Sequence, residues 1–68
     1  MLTVREIVDR LGGVAKVRRK LGGPSGPLSH QSIYRWINDN EIPAGRAFQI
    51  VREYGGLIDI NDIPTRDV

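Results

Sequence analysis

Cysteine is absent from this 68-residue chain. That excludes disulfides, thiolate zinc sites and cysteine nucleophiles, and it suits a reducing cytoplasm. Histidine occurs once, as His30, so no second imidazole is present to share a metal ion. Apolar residues never run beyond two in succession, which excludes a membrane span or the apolar stretch of a secretion signal. Bulk is lacking too. A chain this short forms one domain, and a core of that size supplies only about 3–5 kcal/mol of stability. It has little interior to spare for a buried active site of several residues. The expectation is a binding module that is not an enzyme, needs no cofactor or metal, and takes no small-molecule substrate and no membrane.

Charge of one sign is scarce overall but unevenly placed. The net charge is +2 and the sequence pI about 9.5. Residues 1–36 hold Arg5, Arg10, Lys16, Arg18, Arg19, Lys20 and Arg35 against Glu6 and Asp9, a balance of +5. Residues 37–68 hold Arg46, Arg52 and Arg66 against Asp39, Glu41, Glu53, Asp59, Asp62 and Asp67, a balance of −3. Such a division suits one face turned to a polyanion, although a solvated surface produces similar counts.

Glycine pairs punctuate the chain at Gly12-Gly13, Gly22-Gly23 and Gly55-Gly56, each after an apolar or aromatic residue that closes a helical pattern. The pairs are expected to end helices with positive φ. Thr3-Val4-Arg5-Glu6 matches a capping box, with Leu2 and Ile7 at the staple positions, and Val4, Ile7, Val8 and Leu11 make one apolar stripe. A second helix is expected from about Val14 to Leu21, with Val14, Val17 and Leu21 inward and Lys16, Arg19 and Lys20 outward. Gly22 to Pro27 then form a loop.

The third helix is capped by Ser29 and runs to Asn38. Pro43 opens a fourth, whose inner stripe is Ala44, Ala47, Ile50, Val51 and Tyr54. In the tail, two readings stay open: a short strand over 57–60 or a 3₁₀ turn over 61–63. The fold class expected is therefore a small all-α bundle of four to five helices with a short irregular or strand-like tail over 57–68.

The third helix divides by chemistry. At about 100° per residue, Ile33, Trp36 and Ile37 share one arc, which makes Trp36 a core residue instead of a base-stacking one. Gln31, Tyr34, Arg35 and Asn38 cover the opposite arc, with His30 at the first turn. Gln pairs bidentately with adenine and Arg with the guanine major-groove edge, while Ser and Tyr hold phosphate. No carboxylate interrupts that arc. A hydrolase built on Ser29 or Ser32 with His30 lacks an orienting acid, and the Gly-Gly-Pro-Ser-Gly-Pro stretch lacks the Gly-Lys-Ser/Thr ending of a P-loop.

Three segments carry a family resemblance. They are Gly12-Gly13-Val14-Ala15-Lys16-Val17-Arg18-Arg19-Lys20-Leu21-Gly22, Leu28-Ser29-His30-Gln31-Ser32-Ile33-Tyr34-Arg35-Trp36, and Ile42-Pro43-Ala44-Gly45-Arg46. In this order and spacing the chain resembles the helix-turn-helix of phage Cro/CI-type repressors and their YdaS-like relatives, over about residues 10–56. The resemblance implies one domain, 1–68, with a helix-turn-helix motif over about 14–38 and a turn lengthened at 22–28. It further implies binding of double-stranded DNA, at a palindromic operator, by a homodimeric repressor in a bacterial cytoplasm or nucleoid.

Base contacts would then fall to His30, Gln31, Arg35 and Tyr34. Phosphate contacts would fall to Ser29, Ser32, Asn38, Lys16 and Arg46, and to backbone at Gly13, Val14, Ala44 and Gly45. The chain departs from the pattern in the insertion over 23–27 and in Arg18, where the motif has Ala at a close helix contact. Phe48, Leu57 and Ile58 are candidates for contact with a second subunit. The competing reading is a protein-interaction module or antitoxin-like regulator whose basic face binds an acidic protein partner.

Overall fold

The computed structural model describes residues 2–23 and 27–66. Pro24, Ser25 and Gly26, at the centre of the expected loop, lie outside the described residues. So do Met1, Asp67 and Val68. The described chain is mostly helical, in the order α1 (Val4–Arg10), α2 (Val14–Leu21), α3 (His30–Asp39), β1 (Ile42–Pro43), α4 (Ala44–Glu53), a 3₁₀ turn (Ile60–Asp62) and β2 (Thr65–Arg66). The two strands form a short parallel pair, with Ile42 opposite Thr65 and Pro43 opposite Arg66. The tail is therefore a 3₁₀ turn where it was ambiguous, and its strand lies further on, at 65–66.

Local chemistry accounts for the helix starts. Thr3 Oγ1 accepts from the Glu6 amide at 3.2 Å, and the Glu6 carboxylate accepts from the Thr3 amide at 3.4 Å, the reciprocal capping box. Ser29 Oγ accepts from the Ser32 amide at 3.2 Å and opens α3. Pro43 is the N-cap of α4, one position earlier than a first-turn proline.

The apolar stripes meet in one core. Val4, Ile7 and Val8 of α1 and its C-cap Leu11 join Val17, Leu21, Leu28, Ile33, Trp36, Ile42, Ala47 and Ile50, and the tail closes the cluster with Ile58 and Ile63. Trp36 is 5 % exposed and sits in this core as expected. Among the described residues no polar or charged side chain is buried, so the interior carries no desolvation cost of that kind. Arg18 is exposed at the surface of α2, as the length of its side chain permits.

One glycine pair, Gly22-Gly23, lacks the expected positive φ. Gly12, Gly13, Gly55 and Gly56 have positive φ, but Gly22, the C-cap of α2, is extended at φ −81°, ψ 141°. The Leu21 carbonyl is instead reached by side chains of α4, Arg46 and Gln49. A Cβ at Gly22 would lie 2.7 Å from the Arg18 carbonyl oxygen, which explains glycine at an ordinary φ.

The end of α3 also organises the start of α1. Asn40 caps α3 in the left-handed conformation, φ 52° and ψ 41°, and its Oδ1 accepts from the Val4 amide at 3.0 Å. An orphan donor at the first turn of α1 is thus satisfied by a residue 36 positions away. Asn40→Gly keeps the backbone conformation and loses the bond, with an expected cost of about 1 kcal/mol. Asn40→Ala adds left-handed strain of roughly another 1 kcal/mol. Urea midpoints should fall in the order wild type, Asn40→Gly, Asn40→Ala; an alanine variant as stable as the glycine variant would contradict this account.

Candidate functional site

Ten residues of α3 serve both the core and the surface. Ile33 and Trp36 are buried, while Gln31, Tyr34, Arg35 and Asn38 are exposed on the opposite side, Tyr34 at 59 %. This exposed arc borders an open groove of about 850 Å³ whose far wall is the start of α1. Thr3 and Arg5 line it together with Gln31, Tyr34, Arg35, Asn38 and Asn40. Gln31 and Arg35 also border a smaller hollow of about 170 Å³, where Ser29 and Ser32 lie. These two side chains therefore stand between the groove and the first-turn serines, whose hydroxyls are 3.1 Å apart. His30 is exposed at the first position of α3 and does not line either depression.

Electrostatics around the groove is set by which acids are already engaged. Asp39 lines it, yet Arg66 Nη2 lies 3.5 Å from Asp39 Oδ2, and Arg66 Nε donates to Glu41 Oε1 at 2.8 Å. Glu6 is held by the Thr3 hydroxyl at 3.0 Å as well as by the Thr3 amide. Among the described residues the ion pairs involve only Arg66 and the exposed Arg52–Glu53 couple. Among the described residues the cations of α1, α2 and α3, Arg5 and Arg35 among them, contact no acid.

No known protein family, curated protein or solved structure matches this chain. The site therefore rests on its own geometry.

That geometry separates the residues proposed from sequence. Gln31, Tyr34, Arg35 and Asn38 share one surface, and Ser29 and Ser32 adjoin it. Lys16 does not: it borders a different hollow with Leu11, Arg19, Lys20 and Tyr54. There Lys20 Nζ stands 5.7 Å from the Tyr54 ring centroid, and burial raises the phenol above its ordinary pKa of 10.0. Val14 and Ala44 open α2 and α4, and Gly45 is exposed with open space where a Cβ would stand.

Three expectations are corrected. The Gly13 amide is occupied, donating to the Val8 carbonyl at 2.9 Å as the chain turns between α1 and α2, so it cannot hold a phosphate. Arg46 is committed to backbone. Its Nη1 donates to the Leu21 carbonyl at 3.2 Å and to Gln49 Oε1 at 2.8 Å, and Nη2 reaches the Pro27 carbonyl at 3.5 Å. Gln49 Nε2 donates to the same Leu21 oxygen at 2.8 Å. Ile58 is 2 % exposed and belongs to the core, which removes it from any subunit contact. Phe48 and Leu57 remain as exposed apolar surface, at 64 % and 61 %.

Sequence reasoning missed Arg5 and Asn40 at the groove. Arg5 sits inside a capping box and reads there as a helix residue. Only the packing of α1 against α3 brings it opposite Tyr34 and Arg35. The signal available in sequence was its place in the basic half of the chain.

The clasp of Arg46 on α2 makes a direct prediction. Arg46→Ala removes charge-assisted bonds to partly buried carbonyls and should destabilise the fold by about 1–3 kcal/mol in urea titration. A stable Arg46→Ala protein would show instead that Gln49 alone satisfies the end of α2. The Tyr54 phenol gives a second. A group whose folded pKa is raised contributes stability that is complete below its ordinary pKa and is lost as pH rises through the folded value. Stability should therefore decline above pH 10, and Tyr54→Phe should remove that part of the decline. An unchanged alkaline limb in the Phe variant would contradict this role for Tyr54.

Proposed function

We propose that this chain is a sequence-specific double-stranded DNA-binding protein of helix-turn-helix type, a Cro-like transcriptional repressor. In this reading α2 and α3 are the motif helices and α3 enters the major groove. The observation that carries it is the exposed arc of Gln31, Tyr34, Arg35 and Asn38: two amides, a phenol and a guanidinium, with the nearest carboxylate, Asp39, held by Arg66. A helix with side chains is about 10–12 Å across and the B-DNA major groove about 12 Å wide, so such an arc meets base edges. Gln31 and Arg35 are the principal readers, with Tyr34 and His30 beside them. Ser29, Ser32 and Asn38 hold phosphates.

Repression follows from occupying a promoter and requires no chemistry. Phe48 and Leu57 are the apolar surface offered to a second copy, and a two-fold dimer would read half-sites about 34–36 Å apart. The paired half-sites supply the affinity that one small module lacks.

Selection of bound duplexes from a random pool tests the reading first, and a palindrome in the selected sequences tests the dimer. Absence of duplex binding at low salt would overturn the proposal. On the selected site, Arg35→Ala should cost about 1–3 kcal/mol and relax preference at one base pair. An equal loss on every sequence would reassign Arg35 to a phosphate.

A further inference from the structure

We infer that the groove between α1 and α3 is a phosphodiester site, in which Arg5 binds one DNA strand and Arg66 lowers the repulsion that Asp39 and Glu41 would exert on it. The inference rests on the DNA reading and adds to it a second element and a charge device in the tail.

The geometry begins with size. A helix of about 10–12 Å fills a major groove of about 12 Å, so whatever flanks the exposed arc of α3 abuts a sugar–phosphate backbone. The start of α1 flanks that arc, across the groove of about 850 Å³. Its first turn offers no free amide at Val4, which Asn40 occupies, and Thr3 is engaged with Glu6. Arg5 remains. It is exposed, lines the groove, and makes no ion pair among the described residues. A guanidinium free to fork onto two phosphate oxygens is the group suited to that wall.

A phosphate strand in this groove also passes Asp39. Left unpaired, Asp39 and its neighbour Glu41 would place two negative charges beside the strand. Arg66 engages both, from a strand seated by the bond of the Ile42 amide to the Pro64 carbonyl at 2.8 Å. Arg66 therefore acts through Asp39 and Glu41 and touches no phosphate itself.

The test uses the full chain and a fluorescent duplex taken from the selection, with an unrelated duplex of equal length. Wild-type binding of the selected duplex establishes the DNA reading separately; its absence removes that reading and this inference together. Given binding, Arg5→Gln should weaken both duplexes by the same factor, roughly three- to tenfold at about 0.1 M salt. It should also reduce the slope of log affinity against log salt by about 0.9. Unchanged affinity and slope, or a loss confined to one base pair, would overturn the phosphate site while leaving the DNA reading intact.

Arg66→Gln should weaken both duplexes too, and Asp39→Asn with Glu41→Gln in the same chain should restore them. Glu53→Gln, an acid bordering a different hollow, should not. Failure of the double variant to rescue, or equal rescue by Glu53→Gln, would overturn the role of Arg66. Thermal melts of each variant by circular dichroism confirm that the folded protein is compared.

Discussion

The bond from the Val4 amide to Asn40 Oδ1 is the constraint on which the functional surface depends. It joins the first turn of α1 to the residue that stops α3, and it does so with a side chain whose backbone is held left-handed. Asn is among the few non-glycine residues that adopt this conformation at modest cost, and its side chain adds a short carbonyl that accepts from a neighbouring helix start. Both consequences are needed at one position. The left-handed turn sends the chain into Glu41 and β1, and the side chain sets α1 alongside the exposed arc of α3. That bond adds to the core packing that brings α1 and α3 together, so that Arg5 and Arg35 border one groove.

A comparable long-range contact holds the other side of the molecule. Arg46 and Gln49, one turn apart on α4, converge on the Leu21 carbonyl. At that end α2 finishes in an extended residue, Gly22. The division of labour among the arginines follows. Arg46 directs its guanidinium donors to backbone carbonyls and keeps its charge, while the charge of Arg66 is offset by two carboxylates. Arg5 and Arg35 face solvent across the groove. The formal charge of +2 thus describes the composition and not the field near α3.

The helices and their caps were legible in the sequence because their causes are local. Thr3 with Glu6, Ser29 with Ser32, and the apolar spacing of each stripe act within about one turn. The exposed arc of α3 was legible for the same reason, since helical phase alone places Gln31, Tyr34, Arg35 and Asn38 together. What escaped were contacts between residues 25 to 36 positions apart: Arg46 to Leu21, Arg66 to Glu41, and Asn40 to Val4. A long polar side chain has the same pattern in sequence whether it ends on solvent, a carbonyl or a phosphate. Ile58 escaped for a related reason. Adjacent to exposed Leu57, it was grouped with it, while the turn after Gly56 sends the two side chains to opposite environments.

Within α3 the core residues and the exposed arc proposed to face DNA are separate sets, while Ser29, just before it, is both the cap and a proposed phosphate contact. Ser29, Ile33 and Trp36 carry the cap and the core; Gln31, Tyr34, Arg35 and Asn38 make no hydrogen bond to another side chain among the described residues. Substitution on the exposed arc therefore leaves the core contacts and the cap intact. That separation matters in a chain whose core supplies so little surplus stability. Under the proposed reading, base preference can change at Gln31 or Arg35 without spending that surplus. Asn40 has no such freedom, because one residue there both ends α3 and starts α1.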